Sequence, residues 1–362
     1  MNTFGRHIRV TTFGESHGTG LGCVVDGIPA GLSFDEALLR TALARRRPGQ
    51  ELSSARREPD VPEILSGIFE GVTLGTPIAL LVRNADQRSK DYDDLRDLYR
   101  PSHADFTYDR KYGHRDHRGG GRSSARETLA RVAAGAFARM LVTASDSVSV
   151  HSCVTRIADV VAKSDPGSFD EADIYESVVR QPDAPIESEM IAAIEQARSD
   201  GDSLGGIVST TVQGVPIGLG EPIYGKLNGM LGAAMMSING AVGFSVGDGF
   251  AATRRRGSEQ NDGWISDEQS GELRTRTNHG GGISGGISNG MPVHFAVGFK
   301  PPSSIAKVQE HGTKKGGTAR YTIQGRHDPT IVVRAVSVVE AMTWLVLADR
   351  LLAARLGTVA SD

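Results

Sequence analysis

The chain has 362 residues, 39% of them hydrophobic and 23% charged, with a formal net charge of −3. No window approaches the ~18 unbroken apolar residues that a spanning helix needs, and the charge balance lacks the basic footprint of a general nucleic-acid binder, so neither membrane nor nucleic acid is expected as a partner. Two cysteines without clustered metal-ligand spacing, and an N-terminus without the basic start, apolar run and cleavage site of a secretory signal, predict a cytoplasmic protein with no metal and no disulfide framework.

TTFGESHGTGLGCVVDGIP reads as strand, glycine-rich turn and second strand, because Val24 and Val25 lie in an apolar, β-branched run ended by Gly27 to Pro29. SFDEALLRTALARRR predicts a helix whose apolar face is Leu38, Leu39, Ala42 and Leu43, with a capping box from Ser33 and Glu36 and an end at Pro48 and Gly49. Its last turn holds Arg45, Arg46 and Arg47. One of these complements the helix dipole, but three in a row project in different directions, which leaves at least one for a ligand.

VPEILSGIFEGVTLGTPIALLVRNAD alternates strand-like pieces with Gly and Pro turns, as hairpins do. The polar stretch from 86 to 121 has little hydrophobic periodicity but keeps aromatics and histidines, so it is read as a loop lining a site. GRSSARETLARVAAGAFARMLVTA then gives a clean helical stripe through Leu129, Val132, Ala133, Ala136, Phe137, Met140 and Leu141, with a second capping box from Ser124 and Glu127. Strands and helices alternate from about 148 to 220. KLNGMLGAAMMSING is a helix of small residues, VHFAVGF a strand, and SVVEAMTWLVLADRLLAARLG a closing helix, apolar nearly all round, with a third capping box from Ser337 and Glu340. Nothing reads as an interdomain linker, so the fold expected is one large α+β domain over 1–362, its two glycine-loop-plus-helix halves hinting at an internal duplication.

Glycine makes up 45 residues, about one in eight, against a typical ~7%, so much of the backbone must turn tightly or approach something closely. The strongest such stretch is GGGRSSARE. Three glycines permit close approach, and a helix beginning at the serines would aim backbone N–H groups and a positive dipole end at an anion. It is not a Walker loop, since GxxxxGK[ST] is absent. If Ser123 and Ser124 are only caps, Arg122 and Arg126 are solvated.

GESHG satisfies the letters of the hydrolase GxSxG pattern at Ser16, but a nucleophile elbow requires strand, sharp turn and helix, whereas a strand follows here. His17 stays of interest as a proton donor or acceptor on a constrained turn. His103 in RPSHADF stands three residues from Arg100, which could hold an anion beside it. His114 and His117 read as loop polars, and Arg326 beside Asp328 in GRHDP as a local ion pair.

GESHGTGLGCVVDGIP, GRSSARETLARVAAGAF and GRHDPTIVVRAVSVVEAM, with RRRPG, RPSHAD and KPPSS between them, resemble the chorismate synthase family over nearly the whole chain. The resemblance implies a homotetramer of single-domain β-α-β sandwich subunits that binds reduced FMN and converts 5-enolpyruvylshikimate 3-phosphate to chorismate and phosphate. Some members of that family reduce their flavin with NADPH. Carried over position by position, it implies that Ser16, Arg46, Arg57, Arg100 and Arg126 hold substrate. His103 would stabilise or protonate the leaving phosphate, His17 would set the protonation state of the flavin, and Asp328 would assist proton removal. Flavin contacts would come from Arg122, Ser123, Ser124, Asn239, Gly240, Gly285, Lys300, Pro301, Pro302, Ser303, Ser304 and Arg326. The chain departs from the family pattern between RRRPG and REPD, where GQELSSA is one residue short and lacks an arginine, a contact that Arg56 could take over. Two rival readings are a serine hydrolase acting through Ser16 and a non-catalytic nucleotide or polyanion binder using the arginine loops.

Overall fold

The computed structural model describes residues 2–49, 51–52, 58–85, 94–266, 271, 273–323 and 328–357. Two antiparallel sheets dominate it. The first is built from Arg9–Gly14, Gly20–Asp26, Pro62–Ile64 and Ile78–Arg83, with the short Thr3–Phe4 on one edge. In spatial order its main strands run first, second, fourth, third. Helix α1 (Glu36–Arg46) joins the second strand to the third, and after the fourth come α2 (Asp105–Tyr112) and α3 (Thr128–Thr143).

The second sheet repeats this plan. Its strands Ser149–Ile157, Gly206–Gln213, Ala241–Val246 and Val293–Phe299 stand in the same order, again all antiparallel, with Val160–Val161 on the edge. Helices α4 (Glu171–Glu176) and α5 (Ala184–Ser199) fill the first connection, α6 (Leu227–Met236) lies in the second and α7 (Gly257–Gln260) in the third. α8 (Val332–Gly357) closes the chain.

The helices form the middle layer. α3 packs along α8 and on the first sheet, α8 packs on the second sheet, and α1 and α6 flank the pair, so the molecule is the expected α+β, β-α-β sandwich. The period-2 pattern of buried residues explains the sheets: Ile78, Leu80 and Val82 point inward from one, Val293, Phe295, Val297 and Phe299 from the other. α3 and α8 bury most of their circumference, which is why the closing helix reads as apolar nearly all round, while α3 buries residues well beyond its predicted stripe. Their backbones come unusually close at Gly135, where a Cβ would sit 2.6 Å from the Ala341 Cβ and 2.8 Å from its carbonyl oxygen. Among the described residues, no helix is long and apolar enough to cross a membrane.

Three local expectations change. α1 is capped by Asp35, whose carboxylate accepts the Leu38 N–H, rather than by Ser33. α8 begins at Val332, so Ser337 and Glu340 lie inside it and Ser337 bonds back to the Arg334 carbonyl. In both cases another residue provides the chain entry, and the Ser-x-x-Glu spacing is coincidental. The stretch read as one long loop contains α2 and the two-residue strand Leu98–Tyr99, which pairs with Gln309–Thr313; residues 86–93 lie outside the described ones. At the chain's other end, Asp349 of α8 accepts the backbone N–H groups of Arg6, His7 and Ile8 through one oxygen and so ties down the segment that leads into the first sheet.

Candidate active site

The turn between the first two long strands carries Ser16 and His17. Ser16 is fully buried and its Oγ lies 3.0 Å from His17 Nδ1. The turn is held from below by Asn84, at the end of the Ile78–Arg83 strand: its Nδ2 donates to the Glu15 carbonyl at 3.1 Å and to the Gly18 carbonyl at 2.8 Å. Gly119 closes it from above. With φ of +70°, and with a Cβ there only 2.4 Å from the His17 ring, this position excludes a side chain. Gly121 presses on the same turn from beside Glu15. The glycines of GGGR are therefore a wall against the histidine turn.

The second element is the loop 100–115, organised on one carboxylate. Asp105 is buried and receives Arg100 Nε at 2.8 Å, Arg100 Nη2 at 2.9 Å and Arg115 Nη1 at 2.7 Å, with His103 Nδ1 at 3.0 Å. Burial alone would raise this carboxyl, but the hydrogen bonds from Arg100 and His103 hold it well below the usual carboxylate range. Arg100 also donates to the Gly119 carbonyl at 2.8 Å, which joins the loop to the glycine wall. Ser102, in the left-handed region at φ 54°, turns the chain just before His103. Burial pushes the His103 pKa below the ordinary histidine value, with the Asp105 hydrogen bond opposing it. We place a proton on Nδ1, donated to Asp105, since Arg100 has other acceptors; Nε2 is then the ring nitrogen not engaged with Asp105.

Arg126 forms the third element, together with Arg46 and Asp60. All three are buried. Asp60 accepts from Arg126 Nη1 through one oxygen and from Arg46 Nη2, at 2.7 Å, through the other. Arg126 Nε donates to Asn84 Oδ1 at 3.1 Å, and its Nη2 lies 3.6 Å from Glu58. Burial lowers Arg46 to about 10, against the attraction of Asp60. Arg46 Nε, Arg126 Nη2 and Arg122 Nη1 are buried donors without a hydrogen-bond partner among the described residues, a state that costs roughly 1–3 kcal/mol each unless an acceptor arrives. The three arginines closing α1 do diverge: Arg45 pairs with Glu171 and stacks 3.8 Å over Tyr175, Arg46 turns to Asp60, and Arg47 is exposed.

Around this core stand most of the remaining candidates. Ser123 and Ser124 lie on two 3₁₀ turns, and the α-helix begins only at Thr128, so the serines do not start it as expected; Ser124 caps the second turn at the Arg126 N–H. Asn239 Nδ2 donates to the Ser123 carbonyl at 2.9 Å and its Oδ1 has no partner. Gly240, at φ +82°, accepts the Lys300 N–H, and Lys300 Nζ donates to the Ser102 carbonyl at 2.6 Å. Pro301 packs on Gly205 and Pro302 accepts from Ser203, on the loop that continues to Ser303 and Ser304. Asp328 pairs with Arg334. Gly285 stands apart from the network: it turns the Ile283–Ser288 hairpin, which is seated against Gly220 and the start of α6. Arg57 and Arg326, like Arg56, lie outside the described residues.

A model of the chorismate synthase family matches residues 8–352. The chain belongs to the chorismate synthase family. It is 49% identical to the chorismate synthase of Cytophaga hutchinsonii over 349 residues, 96% of each chain, and 50% identical to that of Chloroflexus aurantiacus over 359 residues, 99% of this chain and 97% of the other. A crystal structure of a chorismate synthase superposes with a TM-score of 0.75 at 32% identity, covering 97% of this chain and 93% of that one.

Set in the chorismate synthase fold, Ser16 lacks the strand-turn-helix geometry of a hydrolase nucleophile, because a strand follows it. Asp60, Asn84, Asp105 and Arg115 were not singled out from the sequence. Asp105 had a local signal, since Arg100 stands five residues before it, whereas Asp60 binds Arg46 and Arg126, 14 and 66 residues away. Asn84 had none: its partners are 42 to 69 residues away.

Proposed function

We propose that the chain eliminates phosphate from 5-enolpyruvylshikimate 3-phosphate to give chorismate, with reduced FMN bound beside the substrate. The observation that carries this reading is the set, in a chain of this family, of buried guanidinium donors without hydrogen bonds among the described residues, Arg122 Nη1 and Arg126 Nη2, around a glycine-walled turn that carries His17 and a loop that carries His103. The reaction breaks the ring C–O bond to phosphate, whose electron pair leaves with it, and a C–H bond across the ring, forming one new ring double bond with no net redox change.

The residues suit that demand. Arg126 Nη2 and Arg122 Nη1 are buried donors without hydrogen bonds among the described residues, suited to dianionic oxygens, and Asn239 Oδ1 is an acceptor without a hydrogen bond among them that suits a flavin N–H. His103, its Nδ1 fixed on Asp105, presents Nε2 to the departing phosphate; an incoming dianion raises its depressed pKa and makes it a proton donor. Ser16 and His17 line the turn where ring and flavin meet. Asp328 assists removal of the ring proton, with Arg334 holding its charge. Gly240 and the 300–304 loop, with Arg57 and Arg326, complete the contacts. Reduced flavin held by Asn239, Ser123, Ser124 and the 300–304 loop would supply transient electron density to the site with no net redox change. The working form is a cytoplasmic homotetramer, and each subunit is one domain whose halves arose by duplication, a reading supported by their common strand order.

The test is anaerobic incubation with the enolpyruvyl substrate and chemically reduced FMN. Phosphate release in step with chorismate absorbance is expected, and no release, or release without flavin, would overturn the reading. Replacing the chemical reductant by NADPH tests whether the chain reduces its own flavin.

A further inference from the structure

Asn84 is the contact between two parts of the site that have no other direct bond in the network described above. Its side-chain amide has three functions filled at once. Nδ2 spends one hydrogen on the Glu15 carbonyl at 3.1 Å and the other on the Gly18 carbonyl at 2.8 Å, while Oδ1 accepts Arg126 Nε at 3.1 Å. Its backbone N–H donates to the Thr19 carbonyl at 3.1 Å. The two carbonyls flank Ser16 and His17, so the amide spans the turn and fixes its depth against Arg126. Arg126 in turn is held on its other edge by Asp60, while its Nη2, 3.6 Å from Glu58, has no hydrogen-bond partner among the described residues.

We infer that Asn84 is a positioning residue for this reaction: it locks the Ser16–His17 turn and the Arg126 guanidinium into one rigid unit, so that the anion-holding donor and the histidine keep a fixed separation. The inference rests on the activity proposed above. Only an amide meets the demand, because the site asks for two donors and one acceptor from a short side chain. An aspartate keeps the acceptor for Arg126 but turns its second oxygen toward two carbonyls, with no hydrogen to offer while ionised. An alanine removes all three bonds. The two changes therefore separate the two halves of the clamp, and displacement of reacting groups by about 1 Å is enough to cost on the order of 100-fold in rate.

The experiment compares wild type, Asn84→Asp and Asn84→Ala in phosphate release with reduced FMN, from pH 5 to 8, alongside melting temperature. For Asn84→Asp we expect kcat to fall at least 10-fold at pH 7.5 while KM for the enolpyruvyl substrate changes less than 3-fold. Its kcat relative to wild type should rise as pH falls, since the protonated acid regains one donor. Asn84→Ala should lose kcat and raise KM together, with no recovery at low pH. Equal pH profiles for Asn84→Asp and wild type, or wild-type rates in Asn84→Asp, would overturn the clamp, as would a kcat loss that follows the melting temperature alone. If Asn84→Ala does not fold, the pH profile of Asn84→Asp decides the matter. Absence of turnover in wild type would instead defeat the proposed activity.

Discussion

The two sheet-and-helix halves share strand order, strand direction and helix placement, yet they differ most where their first two strands connect. In the first half this link is the short turn Glu15 to Thr19, buried and clamped from both sides. In the second it runs from residue 158 to 205 and contains α4 and α5. A short link places side chains at the sheet's end with few degrees of freedom, and there the histidine turn formed. The long link instead wraps the outside of its own half. The closing helices differ in parallel. α3 is preceded by 3₁₀ turns that carry Arg122 and Arg126, whereas α8 buries Glu340, Asp349 and Arg350 among other side chains. Glu340 is one of these: it accepts from Tyr175 Oη at 2.6 Å and lines a cavity of about 220 Å³ with Arg45, Arg139 and Trp344. The same strand order thus holds a clamped histidine turn in the first half and a long helical link in the second.

The contrast predicts that changes inside the helix layer, Glu340 on α8 and Gly135 on α3, alter stability, and that changes at the Glu15–Thr19 turn and the loop 100–115 alter rate. The largest effect concerns Glu340, whose carboxyl burial pushes up to about 7. A carboxyl raised above its unfolded value stabilises fully below that value, and the contribution disappears as pH rises through the folded one. Unfolding free energy should therefore drop by about 3 kcal/mol between pH 4.5 and 8 from this group alone, and Glu340→Gln should flatten that slope in urea titrations at pH 5 and pH 8. An unchanged slope would mean that Glu340 is hydrated and ordinary.

His103→Ala comes next. Turnover should fall at least about 100-fold, the scale for a lost general acid, while reduced FMN still binds and the melting temperature is kept. In wild type, kcat/KM should fall as pH rises through the depressed His103 value, and the variant should lose that limb. A variant with normal turnover would move the chemistry away from the first half. Gly135→Ala at the crossing of α3 and α8 should cost roughly 1–2 kcal/mol: overpacking of about 1–3 kcal/mol is partly offset by the better helix propensity of alanine, and a calorimetric melt would register it. Ser16→Ala is the mildest, with turnover reduced less than about 10-fold; complete loss, together with labelling of wild type by a fluorophosphonate, would revive the nucleophile reading.

The sequence made the architecture legible wherever one short segment sufficed. The Val24–Val25 run, the stripe from Leu129 to Leu141 and the alternation in VHFAVGF each fix an element by period alone. Caps were read less well. Three Ser-x-x-Glu matches occur near helices, yet Asp35 begins α1, 3₁₀ turns precede α3, and α8 starts before its match. Hydrogen-bond partners at that range are chosen by the tertiary fold as much as by spacing. Asp60 and Asn84 escaped for a related reason: their roles are defined by residues brought together from three chain segments. The divergence of Arg45, Arg46 and Arg47, by contrast, follows from the 100° step of the helix and was visible at once.

The bonds from Asp349 to the N–H groups of Arg6, His7 and Ile8 link the last helix to the chain just before the first long strand. During synthesis that carboxylate emerges some 340 residues after its partners, a delay on the order of tens of seconds at ribosomal speed. The root of the hairpin that carries Ser16 and His17 is therefore left untied until α8 has been made, and a nascent chain that holds every residue of the histidine turn but not α8 still lacks that anchor.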